Sequence, residues 1–138
     1  MDNLKKVYSK IENENIGVFN HNILFENKAI TIECDNNYGI FVDYNKIDSC
    51  EEEFIIMAHE YGHCKSGSTH KVGSKFDLIE RHEYRANRQS ILAFLPIRKL
   101  RKAIGKGYDK TYEIAEFLDM PETFVKMAIG HYRCMGQI

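Results

Sequence analysis

Two histidines four positions apart, His59 and His63, with a glutamate directly after the first, set the tightest limit on how this chain can fold. On a helix of 3.6 residues per turn, positions i and i+4 lie on one face, so both imidazoles can reach a single metal ion. The flanking residues favour that helix. Ser49 followed by Glu52 forms a capping box, and Glu51 to Glu53 place negative charge where a helix N-terminus stabilises it. A helix is therefore expected from about residue 50 to 64. Ile55, Ala58, His59, Gly62 and His63 share one of its faces. Ala58 and Gly62 are small enough for a backbone or a substrate to approach closely, and Phe54, Ile56 and Met57 supply packing to either side.

The chemistry of His59-Glu60-Tyr61-Gly62-His63 is that of a metallopeptidase. The imidazoles hold the metal, and Glu60, not itself a ligand, takes a proton from the activated water and passes it to the leaving amine. A catalytic zinc ordinarily has three protein ligands and an open fourth position, so one ligand must come from another element. A second helix is expected from Asp77, as its cap, to Leu95, where Pro96 stops it. Glu83, Ala86, Asn87, Ser90, Ile91 and Phe94 form one stripe of that helix. A carboxylate in a packed stripe is costly unless paired or metal-bound, which nominates Glu83 as the third ligand. Asn87, one turn on, can hydrogen-bond a ligand imidazole from behind. Glu80 and then His82 are the alternatives, and the plain reading of Glu83 is a surface ion pair with Arg85 or Arg88. Glu80, Arg81, Tyr84, Arg85 and Arg88 fall mostly on solvated faces. His21, His70, His82, His131, Tyr61 or Tyr84 can each be imagined as the donor to a developing oxyanion; the sequence does not choose.

Elsewhere the chain reads as one α+β domain of 138 residues, with a catalytic core over 1–100 and a helical extension over 108–138. Leu4, Val7, Tyr8 and Ile11 recur at helical spacing, so residues 2–13 are expected to be a helix. Residues 13–22 read as a connection. Strands over 28–34 and 40–44, joined by a turn at Asp35-Asn36-Asn37-Tyr38-Gly39, give a small antiparallel sheet packed on the active-site helices. Residues 64–75 read as a loop. Arg98 to Lys110 is basic and interrupted by Gly105 and Gly107, and two short helices, 111–118 and 122–132, flank Asp119-Met120-Pro121. A formal charge of −1 gives no general attraction to nucleic acid or to an anionic membrane. No apolar run approaches the roughly 20 residues that span a bilayer, and the N-terminus is not a signal core. A cytoplasmic location is expected, with Cys34, Cys50, Cys64 and Cys134 reduced; Cys64, next to His63, has a possible place near the metal.

Two blocks together resemble the ImmA/IrrE family of small metallopeptidases. The first is Ile40-Phe41-Val42-Asp43 followed by Phe54-Ile55-Ile56-Met57-Ala58-His59-Glu60-Tyr61-Gly62-His63. The second is Glu83-Tyr84-Arg85-Ala86-Asn87 running to Leu95-Pro96. The chain departs from the usual pattern at Gln89-Ser90, where an aromatic-alanine pair is common, and at Phe94, where a leucine is usual. The resemblance implies a zincin-like fold, Zn2+ held by His59, His63 and Glu83, and Glu60 as base. It also implies a protein substrate: a helix-turn-helix repressor of a phage, mobile element or stress response. Residues 111–130 themselves resemble a helix-turn-helix in outline, but carry little of the positive charge that DNA binding needs, so a packing or protein-recognition role is expected. The competing function is a regulatory binding module in which the metal is structural or vestigial and nothing is cut.

Overall fold

The structure, a computed structural model, describes residues 2–67 and 76–138, and for 76–78 the backbone only. Helix α1 (Asp2–Asn13) buries Val7 and Ile11, with Leu4 and Tyr8 packed beside them, as the apolar spacing predicts. The expected connection that follows contains a strand, β1 (Gly17–Asn20). Four residues are too few for an alternating pattern to declare itself. What makes the segment a strand is its pairing, in parallel, with residues 39–42.

Strands β2 (Ala29–Cys34) and β3 (Asn37–Val42) form the expected antiparallel hairpin, with a tighter turn than the sequence implied. Only Asp35 and Asn36 lie outside the ladder, at φ 51° and 66°. Asp and Asn tolerate this left-handed conformation, which a two-residue hairpin turn of matching twist requires at both positions. The sheet order is β1-β3-β2. Because β1 runs parallel to β3, the sheet is mixed and not wholly antiparallel as expected. Ile40 and Val42 are fully buried on its inner face. On the outer face Phe19 stacks on Phe41 at 5.0 Å between ring centroids, and Ile32 is largely exposed. A short 3-10 turn (Tyr44–Lys46) leads out of β3.

Helix α2 (Cys50–Ser66) starts where expected: the Glu52 N–H donates to Ser49 Oγ at 3.1 Å. Only half of the capping box forms, because the Glu52 carboxylate accepts instead from Lys28 Nζ at 2.6 Å. The helix outruns its expected end and closes on Gly67, whose φ of +66° suits a glycine cap. The remainder of the expected loop, including His70, lies outside the described residues. Helix α3 (Phe76–Phe94) begins one residue before Asp77, which is therefore inside the helix and not at its cap. Gly62 decides how α2 and α3 meet. A Cβ added there would lie 2.0 Å from the backbone oxygen of Ala86. The two helices touch backbone to backbone, and no other residue fits.

Helices α4 (Ile97–Gly105), α5 (Thr111–Leu118) and α6 (Glu122–Cys134) complete the chain. They pack on the same buried core as the rest. Phe124 meets Phe54 edge to face at 5.1 Å, and Tyr132 donates to the Leu95 carbonyl at 2.8 Å. Asn3 of α1 reaches across 115 positions to the Leu118 carbonyl at 2.9 Å and also to that of Asp119, fastening the α5–α6 turn. Among the described residues, no helix is long and apolar enough to cross a membrane.

Candidate metal centre

Helical spacing puts His59 and His63 on one face of α2, their rings perpendicular at 4.7 Å between centroids. Their Nε2 atoms face each other at 3.1 Å. Across the close α2–α3 contact, Glu83 sets one carboxylate oxygen 2.8 Å from His59 Nε2 and the other 3.0 Å from His63 Nε2. His59, His63 and Glu83 thus form a group that can hold a metal ion, with one donor atom from each lying within 4.8 Å of the others. The contact at Gly62 makes this possible: a bulkier residue there would push α3, and Glu83 with it, away from the imidazoles.

The electrostatics agree with the geometry. The His59 and His63 imidazoles hydrogen-bonded to Glu83 hold its carboxyl far below the usual carboxylate range. Burial alone would lower the pKa of His59, but the Glu83 carboxylate outweighs it, helped by the charge of Glu60 and the bond to Asn87, and the net shift is upward. Asn87 Oδ1 sits 2.9 Å from His59 Nδ1, as its position one turn beyond Glu83 suggested. With the amide oxygen as acceptor, Nδ1 donates to Asn87, and Nε2, which faces Glu83, is the nitrogen that a metal would take in exchange for its proton.

Glu60 is 8% exposed and lies on the wall of the same groove. The Thr31 hydroxyl donates to Glu60 Oε2 at 2.5 Å, leaving the second oxygen to act. Thr31 is a site residue that sequence reasoning missed. A polar side chain between Ile30 and Ile32 was the available signal, but strand register, which no local pattern shows, decides that it meets Glu60.

The other candidates do not join the cluster. Glu80, the alternative ligand, is exposed, and neither it nor His82 belongs to the metal-capable group among the described residues. Tyr61 is buried and donates its hydroxyl to Glu14 at 2.5 Å, so that group is already committed. Tyr84 is 58% exposed, and the ring of exposed His21 lies edge-on to Phe41. His131 packs against Tyr132 on α6. Cys64 is buried, which pushes its thiol up to about 12, and it is not part of the metal-capable group among the described residues. All four cysteines are free.

The three donors and Glu60 face a groove of about 570 Å³ whose other wall is β2, from Ala29 to Ile32, with Phe25 and Asn27 at one end. No protein-family model matches the chain, and no curated protein or solved structure matches it.

Proposed function

We propose that this chain is a zinc-dependent endopeptidase of the ImmA/IrrE type whose substrate is a helix-turn-helix repressor. The observation that carries the reading is the convergence of His59, His63 and Glu83 beside Glu60 in one groove. Tetrahedral zinc with ligand bonds of about 2.0–2.1 Å separates its ligand atoms by roughly 3.3 Å. The two imidazole nitrogens stand 3.1 Å apart, within a few tenths of an ångström of that separation, and each has a Glu83 oxygen at 2.8 or 3.0 Å. Two imidazoles and one carboxylate from two helices suit a catalytic site with an open position.

Zinc held there supplies a polarised carbonyl and an activated water. The protein does the rest. Asn87 orients His59. Glu60 accepts the proton of the attacking water on the oxygen that Thr31 leaves free, then delivers it to the leaving amine. Strand β2 is an edge of the sheet. The Asp43 N–H bonds to the Lys28 carbonyl at 2.9 Å, so the even-numbered residues of the ladder bond to β3. Ala29, Thr31 and Glu33 therefore turn their backbone groups to the open edge, where an extended peptide can add as a further strand. A purely structural metal would gain nothing from a buried, hydrogen-bonded glutamate next to its first ligand, and this favours the enzyme over a binding module.

Glu60→Gln tests the reading: zinc is retained and repressor cleavage falls by about 1,000-fold, within the range for losing a general base. Repressor inactivation that continues unchanged in that variant would mean the protein works by binding. The repressor as substrate follows from the family resemblance of the sequence, and incubation with the product of the neighbouring reading frame checks it.

A further inference from the structure

The loop before β2 holds its two largest apolar side chains out in water: Leu24 is 96% exposed and Phe25 77%. Single exposed apolar residues are ordinary. These two are adjacent, Phe25 lines the groove that carries the three donors, and the backbone that presents them is firmly held. Lys46 directs its ammonium at three carbonyls of this loop: Ile23 at 2.6 Å, Phe25 at 2.5 Å and Asn27 at 3.2 Å. An ammonium has three protons to donate, and the loop takes all of them. Buried Asp43 completes the clasp. Its Oδ2 accepts the Ile23 N–H at 3.1 Å and lies 3.8 Å from the same ammonium.

Such a loop gives up its backbone freedom before any ligand arrives. A partner that covers Phe25 then gains the burial of apolar surface without ordering the loop that presents it. Phe25 lines both the hollow around Lys46 and the groove that carries His59, Glu60, His63 and Glu83, so the two adjoin at its side chain. Ile32, 45% exposed on the edge strand, lines the same groove. Glu60 and Glu83 sit opposite and disfavour an acidic occupant.

We propose that Phe25 determines specificity: it receives a large apolar side chain of the peptide in the groove, and Lys46 is the positioning residue that holds Phe25 in place. The occupant's being a peptide rests on the peptidase reading; the lip itself rests on the loop geometry. The zinc-loaded full chain, titrated with acetyl-phenylalanine hydroxamate and acetyl-glycine hydroxamate, reads the lip without requiring turnover. The phenylalanine probe binds about 30-fold more tightly, the effect of covering one large apolar side chain. In Phe25→Ser, and equally in Lys46→Met with its zinc still bound, the ratio falls below about 3-fold. Loss of zinc together with the ratio in Lys46→Met would make that lysine merely structural and remove it from the proposal. Equal affinity for the two probes in the unaltered chain overturns the lip and leaves the metal centre standing, whereas failure of both to bind removes the metal centre and the lip with it. Sedimentation that finds an unliganded dimer, broken by Phe25→Ser, assigns the surface to a second copy and overturns the proposal.

Discussion

Helices α2 and α3 meet backbone to backbone, whereas α5 and α6 meet through side chains. In the first pair Gly62 lies against the Ala86 carbonyl, and that closeness lets His59, His63 and Glu83 bring their polar atoms together. In the second pair Ile114, Ala115, Phe124, Val125 and Ala128 are buried, Phe124 stands against Phe54, and the turn is fastened by Asn3. Gly130 of α6 has nothing within 4 Å of where a Cβ would stand. Among the described residues the metal-capable group belongs to the first pair alone. The difference is physical: Gly62 lets α2 and α3 approach closely, and across that short gap the Glu83 carboxylate meets both imidazoles.

Substitutions at the two glycines break this comparison if it is wrong. Gly62→Ala puts a methyl group 2.0 Å from a backbone oxygen that cannot step aside. It should destabilise the chain by about 3 kcal/mol, roughly 10 °C in melting temperature, and weaken metal binding as α3 is displaced. A melt within about 2 °C of the unaltered chain would show that the helices are not packed this way. Asn87→Ala leaves the packing alone and removes the partner of His59 Nδ1; a 10- to 100-fold loss of zinc affinity is expected, near the usual effect of deleting such a group. Competition with a chelating dye measures it, and unchanged affinity would make Asn87 a bystander. Gly130→Ala is the counterpart on α6. With open space around it and helical backbone, alanine should stabilise by about 0.5–1 kcal/mol with the metal untouched. Destabilisation there, seen by denaturant titration, would mean that α6 has a close neighbour too.

The features that the sequence disclosed are those with a local period. The 3.6-residue repeat placed His59 with His63 on one face and Glu83 with Asn87 on another, and all four stand where that periodicity put them. Features that depend on long-range pairing stayed hidden. β1 is a strand only because β3 lies beside it. Thr31 and Glu60 are 29 positions apart and meet through the register of β2 against α2. The even residues Ile30 and Ile32 marked a strand by alternation, yet the fully buried face of the sheet holds Ile40 and Val42, while Ile32 faces outward. Lys46 reads as a surface lysine until the fold wraps residues 23–27 around it.

Zinc titration of the full chain, run beside Glu83→Ala, tests the three-donor centre most directly. One equivalent should bind the unaltered chain, and removing one of three ligands should weaken it by at least about 100-fold. Equal zinc affinity in the two proteins, or no stoichiometric binding in either, would contradict a site built from His59, His63 and Glu83.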